Sequence, residues 1–506
     1  MFRYFGPPGT GKTTRLLNQV DDLLRGGMAP NDIGYFAFTR RAAHEARDRA
    51  AARFNLDPKK DLLYFRTLHS LAFQVLGMTS ADVLNPANLR EFGAETGIDL
   101  SSSGAENIAD DGFILLKSND PIMRAIDLAR NSLRGEHYAY NAIELEMPYY
   151  EFTHIYTEYQ RFKEMHGLKD FTDMMVALSK KPERLPFFRV VFLDEAQDLT
   201  PLQWTVAHHL GDRADRMFVA GDDDQGIYRW AGADINRFIS LPGGSDTLTQ
   251  SYRIPRKVHM LAETVSSHIR HRQKKHWLPR AAEGSVHKIY DPHTLDFNGA
   301  EWLILAQANY MLDELSERLV STGQYFERRG TASLKADIRG AISSWTHLHE
   351  DPAHELSHKE AVNLFNHISS GEKLARGAKK RLSSANEQDL FSLSTLREHF
   401  GLRTEAEDWD VVLDRIGDED RAYATALLNR GVNLFEPPKI KLSTIHGAKG
   451  GEADNVLVYL DLSTRALQEM ERHPDDAQRV LYVAITRAKE NLVLKMPDDA
   501  QRGWAL

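Results

Sequence analysis

Short runs of consecutive apolar residues recur along the chain, each followed by a polar or glycine-containing loop: Ile33–Phe38, Val190–Leu193, Met217–Ala220, Trp302–Leu305, Val456–Leu460 and Leu492–Leu494. A strand that is apolar at every position, rather than at alternate ones, is covered on both faces, which is the condition of a parallel sheet. Between these runs Arg41–Arg53 and Asp198–Leu210 carry helical spacing, so the predicted order is βαβ and the fold class α/β. Two stretches break the alternation and read as mainly helical insertions, 86–165 and 313–435, the second containing a basic Lys373–Arg381 segment. Glu436-Pro437-Pro438 marks the return to the core. Ligands of such sheets bind at the carboxyl ends of the strands.

Composition narrows the classes. A chain of 506 residues, 42% apolar and 27% charged, supports several hydrophobic cores and excludes wholesale disorder. Its formal charge of −9 assigns any nucleic-acid contact to local basic patches. With no cysteine, disulfides, iron–sulfur clusters, cysteine-type zinc sites and thiol catalysis are excluded. Neither an apolar leader nor a run approaching membrane-spanning length is visible, so a cytoplasmic protein without membrane association is expected.

The first chemistry lies next to the N-terminus. Gly6-Pro7-Pro8-Gly9-Thr10-Gly11-Lys12-Thr13 fits G-x-x-x-x-G-K-[ST] between a short candidate strand, Phe2–Phe5, and an amphipathic helix beginning near Lys12. In that context the glycines let backbone N–H groups turn toward phosphate oxygens, the helix N-terminus adds its positive end, Lys12 reaches the β/γ-phosphates and Thr13 binds Mg²⁺. Residues Gly6 to Thr14 form the expected nucleotide cradle, with ATP and Mg²⁺ as cofactors. A second element turns binding into hydrolysis: Arg189-Val190-Val191-Phe192-Leu193 runs directly into Asp194-Glu195-Ala196-Gln197-Asp198. Asp194 is assigned to the metal and Glu195 to the general base that orients and deprotonates water.

Further segments follow in a fixed order. They are Phe38-Thr39-Arg40-Arg41-Ala42-Ala43, Thr67-Leu68-His69-Ser70, Asp170-Phe171-Thr172-Asp173, and Gly221-Asp222-Asp223-Asp224-Gln225-Gly226-Ile227-Tyr228-Arg229-Trp230. After them come Ser251-Tyr252-Arg253, Thr444 to Glu452, and Leu481 to Ala488. The set resembles a superfamily 1A DNA helicase of the UvrD/Rep type. That resemblance implies two RecA-like P-loop parallel-sheet domains, 1–247 with its insertion at 86–165 and 248–506 with its insertion at 313–435. It also implies that Gln225 senses the γ-phosphate, that Arg253 and Arg487 stabilise transition-state charge, that Glu452 contacts the ribose and that Tyr252 stacks on the base. Only Met1–Phe5 precede the P-loop, where the family usually has a glutamine segment that reads adenine, so base choice is expected to rest mostly on stacking.

For the strand, aromatic faces and basic side chains are the chemistry required. The resemblance places Phe38, Arg41, Thr67, His69, Tyr228, Trp230 and His446 along the strand channel, with Trp230 the main stacking residue. Arg270, Arg272, Lys274, Lys275 and Trp277 read either as a further strand contact or as a solvated helix face. His354-Glu355-Leu356-Ser357-His358 satisfies the zinc-peptidase spacing, but Lys359 and Pro352 favour a solvated helix there. The resemblance implies an ATP-dependent, monomeric 3′→5′ motor on single-stranded DNA and single/double-strand junctions, able to separate duplexes. Its protein partners are expected in repair, replication, or a phage or defence system. Two alternatives stay open: a translocase that strips proteins or drives a larger complex without unwinding alone, and a nucleotide-gated strand-binding switch.

Overall fold

In the computed structural model, residues 1–38, 40–98, 100, 120–351 and 353–506 are described, without the side chains of Arg40 and Arg41. They form two units, Met1–Gly284 with Gln468–Thr486, and Ser285–Leu467 with Arg487–Leu506.

In the first unit, β1 (Phe2–Phe5), β2 (Ile33–Ala37), β3 (Phe65–Arg66), β4 (Phe188–Asp194), β5 (Ala214–Gly221) and β6 (Gly244–Thr247) make one sheet in the order β3-β2-β4-β5-β1-β6. Every neighbouring pair is parallel. The continuous apolar runs are explained by the two cores they serve. Val191 and Leu193 pack with Phe5, Phe36 and Val219 on one face, under the helices Leu68–Val75, Phe171–Ser179 and Pro201–Asp212. Val190 and Phe192 face the other way, with Tyr4 and Tyr35, against Leu16, Leu17 and Val20 of the helix Lys12–Arg25. The sheet order brings the carboxyl ends of β1, β5 and β4 side by side, and the Gly6 N–H donates to the Gly221 carbonyl at 2.9 Å.

The first insertion contains the helices Pro86–Thr96, Pro121–Asn131, Gly135–Ile143 and Tyr149–Met165, packed around Leu89, Phe92, Ile126, Phe152 and Phe162. Residues 101–119 lie outside the described residues. An ionic cluster joins this insertion to the segment before β4. Lys163 donates to Asp170 and to Asp173 at 2.6 Å each, and Arg130 donates to Asp170 at 2.6 Å and also to Asp173. Asp170 and Asp173 thereby do two jobs, since they also form the capping box of Phe171–Ser179.

Burial, reinforced by the charge of Asp170, pushes the neighbouring Asp127 carboxyl up to about 7. Against the effect of its own burial, Asp170 is held below the usual carboxylate range by Arg130 and Lys163. Because folding raises the proton affinity of Asp127, its stabilising contribution is present at low pH and is lost as pH rises from 3.8 through about 7. Asp127→Asn should therefore gain on the wild type in urea unfolding as pH rises, its advantage growing by more than about 1 kcal/mol between about pH 4 and about pH 8. A difference independent of pH contradicts this.

The second unit is built on β7 (Ser285–Ile289), β8 (Trp302–Ala306), β9 (Phe326–Arg328), β10 (Thr331–Ala332), β13 (Ile440–Thr444), β14 (Ala453–Tyr459) and β15 (Ala488–Lys495). Their order is β10-β9-β13-β8-β14-β15-β7, with β9 and β10 antiparallel and the other neighbours parallel. The fold class is thus α/β with parallel sheets. The stretch 313–435 is less helical than its sequence suggests, because β9 and β10 lie in it and join the sheet. It also contains β11 (Leu356–Ser357) and β12 (Leu390–Phe391), which pair antiparallel. Its helical part has its own core around Trp345, Leu364, Phe365, Leu396 and Leu427.

The strand β11 also changes the reading of His354 to His358. Ser357 is the N-cap of the helix His358–Asn366, and His358 Nε2 lies 2.9 Å from the Leu382 carbonyl. The two histidines therefore do not share one helical face, as the zinc-peptidase motif requires. Among the described residues no helix is long and apolar enough to cross a membrane.

Candidate nucleotide site and nucleic-acid interface

The glycine-rich loop is shaped by its own residues. Gly9 and Gly11 adopt φ +70° and +77°, and the Thr10 hydroxyl donates to the Pro7 carbonyl at 2.8 Å. Gly9 is required for a second reason: a Cβ there would collide with Arg253 Cβ and lie 2.8 Å from Ser251 Oγ. The Ser251 hydroxyl donates to the Pro8 carbonyl at 2.8 Å, and the Tyr252 N–H donates to the Gly9 carbonyl at 2.9 Å. These contacts keep 248–284 with the first sheet, although the sequence division at 247/248 assigns them to the second domain. They also bring Tyr252, 75% exposed, and Arg253 to the rim of the P-loop.

Inside the loop, Lys12 Nζ donates to the Gly6 carbonyl at 3.0 Å and lies 3.8 Å from Glu195 Oε1. The Thr13 hydroxyl donates to Asp194 Oδ2 at 2.7 Å, and the Tyr35 hydroxyl donates to the same oxygen at 3.0 Å. Asp194 is fully buried, and burial together with the adjacent Glu195 charge pushes its carboxyl up to about 6. Such a carboxylate, next to a hydroxyl oxygen at a helix N-terminus, is a hard-oxygen donor set of the kind that holds Mg²⁺ jointly with nucleotide phosphates. The chemistry of Thr13 and Asp194 therefore fits the expected metal.

Glu195 follows β4 with φ 54°, a left-handed turn that takes its side chain out of the strand direction. Its Oε2 accepts from Gln197 Nε2 at 2.5 Å, and Gln197 Oε1 accepts the Asp222 N–H at 3.0 Å. Gln225 Nε2 in turn donates to Asp222 Oδ2 at 2.7 Å. One hydrogen-bonded chain thus runs from Glu195 through Gln197 and Asp222 to Gln225. Gln197 is absent from the expected site residues, and its position two residues after Glu195 on a tight turn is the local signal for it.

The loop that carries Gln225 continues into the aromatic group. Phe38 stacks on Tyr228 with ring centroids 5.5 Å apart, and Tyr228 meets Trp230 edge-on at 6.3 Å. Trp230 is 42% exposed, and Arg124 of the first insertion lies over its ring at 6.0 Å. His69 packs edge-on against Phe171 at 5.9 Å. Thr67 is 4% exposed, and its hydroxyl caps the helix Leu68–Val75 by accepting the Ser70 N–H at 3.2 Å. Its visible work is structural. Arg41 lies on the helix Arg40–Phe54 with its side chain outside the described residues, as is Thr39.

The basic segment after Arg253 is neither a strand contact nor a solvated face at its two central positions. Lys275 is buried against Asp222, Asp223 and Asp224, Arg272 forks onto Asp224, and Trp277 is buried beside His259. In the second unit, Arg487 is 2% exposed and donates to the Gly451 carbonyl at 3.3 Å, next to Glu452. His446, half-buried, lies in the turn after β13, in which the Gly447 N–H donates to Thr444 Oγ1 at 3.1 Å.

Residues 5–243 match the UvrD/REP helicase N-terminal domain and residues 358–498 the UvrD-like helicase C-terminal domain. The chain is 28% identical over 295 residues to the ATP-dependent DNA helicase PcrA of Bacillus subtilis (strain 168), a match covering 54% of this chain and 39% of that protein. It is 22% identical over 597 residues to DNA helicase II of Rickettsia typhi, covering 96% and 88% respectively. Against the ATP-dependent DNA helicase Rep of Salmonella typhimurium it is 26% identical over 242 residues, covering 46% and 35%. The matched stretch spans less than half the length of these PcrA and Rep proteins. With both family domains matched in chain order and a P-loop, an acidic strand end and a glutamine-bearing loop on one sheet edge, the chain belongs to the UvrD/Rep-type superfamily 1 helicases.

Proposed function

We propose that this protein is an ATP-driven motor that moves 3′→5′ along single-stranded DNA and separates duplexes. The observation that carries the reading is the loop 222–230, which holds Gln225 in the hydrogen-bonded chain from Glu195 and, five residues later, presents Trp230 for stacking. A change at the γ-phosphate and a change in grip on a base are thereby joined within one loop.

In this reading Gly6 to Thr14 cradle the phosphates, Lys12 neutralises the β/γ-phosphates, and Glu195 takes the proton of the attacking water. Thr13 and Asp194 hold Mg²⁺, which when bound neutralises charge on the phosphate oxygens. Gln225 reports the γ-phosphate, Arg253 and Arg487 stabilise transition-state charge, Tyr252 stacks on the base and Glu452 contacts the ribose. Phe38, Arg41, His69, Tyr228, Trp230 and His446 track the strand, and Thr67 shapes that track as a helix cap. The two sheet-bearing cores act as the halves of a monomeric cytoplasmic motor, with partners among repair, replication or defence proteins. The names of the PcrA and Rep relatives support DNA as substrate and ATP as fuel.

ATP turnover measured with and without single-stranded DNA, alongside unwinding of 3′-tailed and 5′-tailed duplexes, tests the proposal. Strand-stimulated turnover with unwinding of the 3′-tailed duplex is expected. Stimulated turnover without unwinding assigns the translocase alternative, and strand binding without turnover the switch.

Trp230→Ala tests the stacking role separately. Loss of one stacked base is worth about 1–3 kcal/mol, so single-strand affinity should fall about 5- to 150-fold while strand-independent turnover changes little. Because Trp230 is largely outside the core, the Tm should hold; unchanged strand affinity removes it from the track.

A further inference from the structure

Directly behind Gln225 lies a charge cluster that the reading above leaves without a role. The side chains of Asp222, Asp223 and Asp224 are all fully buried, and a single fully buried ammonium meets them all: Lys275 Nζ is 2.9 Å from Asp222 Oδ1, 2.5 Å from Asp223 Oδ1 and 2.9 Å from Asp224 Oδ2. Arg272 closes the cluster with a forked pair onto Asp224, its Nε 2.8 Å from Oδ1. The Gln273 N–H donates to Asp223 Oδ2 at 2.7 Å. Arg479, on the helix Pro474–Ile485, clamps the outside by donating to the Asp223 carbonyl at 3.0 Å and to the His271 carbonyl at 2.5 Å.

Burying such charges costs several kcal/mol per ion, and an apolar core of the same volume is often no less stable. What the ionic arrangement adds is direction, because each carboxylate oxygen is held at a defined place. Asp222 is the point where that direction reaches the hydrolytic groups. One oxygen is held by Lys275, the other accepts Gln225, and its N–H is tied through Gln197 to Glu195.

We propose that Lys275 is a positioning residue for ATP hydrolysis, acting through Asp222 on both the Gln225 amide and the Glu195 carboxylate. This rests on the roles given above to Glu195 and Gln225. Lys275 acts on them only through Asp222; removing it leaves Asp222 Oδ1 with the longer bond from the Asp224 N–H, at 3.3 Å, and lets both groups leave their working orientation.

Lys275→Met strands three buried carboxylates and is a folding risk, so the test uses Lys275→Met combined with Asp223→Asn, which removes one carboxylate together with the ammonium. Full-length protein is assayed for thermal unfolding, affinity for a fluorescent ATP analogue, and strand-stimulated turnover. The folded double variant should bind nucleotide within about threefold of the wild type but turn over about 10- to 100-fold more slowly. Adding Gln225→Ala to it should cost no more than about threefold further, because both changes disable one unit. Turnover within twofold of the wild type, or a full independent Gln225→Ala penalty in the double variant, overturns the proposal. If the double variant does not fold, Asp222→Asn, which keeps side-chain shape, is judged by the same two criteria.

Wild-type turnover and Glu195→Gln are run in parallel to separate the two levels. An active wild type silenced by Glu195→Gln leaves the underlying reading intact, so the Lys275 result then bears on positioning alone. A wild type without turnover overturns both.

Discussion

Glu195→Gln should bind ATP about as tightly as the wild type and lose strand-stimulated hydrolysis by about 10²–10⁴-fold, the range expected when a positioned general base is removed. The substitution keeps the shape of the side chain and leaves the left-handed turn at Glu195 undisturbed. What it removes is the carboxylate that accepts from Gln197 at 2.5 Å and faces Lys12 Nζ at 3.8 Å. Lys12→Ala should abolish turnover too, but through binding, because its ammonium, which donates to the Gly6 carbonyl of the loop, is the positive charge proposed above to meet the phosphates. Measuring nucleotide affinity and single-turnover rate on both variants distinguishes the two routes. Turnover close to wild type in Glu195→Gln removes the base assignment, whatever Lys12→Ala does.

In the role proposed for it, Arg487 acts mainly on transition-state charge, so Arg487→Ala should reduce turnover by about 10³-fold or more while changing nucleotide affinity far less. Its burial supplies a rival explanation. An arginine that is 2% exposed and bonded to the Gly451 carbonyl also holds the turn before Glu452, so truncation could act through packing. Arg487→Lys separates the roles: it keeps the charge and most of the buried stem but loses the planar fork. A catalytic arginine predicts that Arg487→Lys keeps the Tm and loses most of the turnover. Turnover restored by lysine in step with a restored Tm assigns Arg487 to the fold.

The local elements were legible because their causes are local. A run such as Arg189-Val190-Val191-Phe192-Leu193 must be covered on both faces, and in the structure Val190 and Phe192 serve one core while Val191 and Leu193 serve the other. The P-loop was legible in the same way, since strand, glycine turn and helix start are contiguous and Gly9 and Gly11 do adopt positive φ. The shortest strands escaped: Phe65–Arg66 and Thr331–Ala332 have too few residues for a period, and only their neighbours define them. Spacing alone places Ser357 within a helix, because it does not show that Leu356–Ser357 pairs with Leu390–Phe391.

The sequence by itself determined the principal strands and helices, the glycine-rich loop between β1 and its helix, and the place of Asp194-Glu195 at a strand end, all set by neighbours a few residues apart. Only the tertiary structure decided where the charges go. In the sequence Asp222, Asp223 and Asp224 are only part of the segment Gly221 to Trp230, and Arg272 and Lys275 read as a strand contact or a solvated helix face, yet folding brings them together in the interior. Asp170 and Asp173 meet Arg130 and Lys163 in the same manner. The physical reason is that hydrophobic periodicity is carried by each segment alone, whereas a buried charge is tolerated only beside a partner whose position depends on every intervening element.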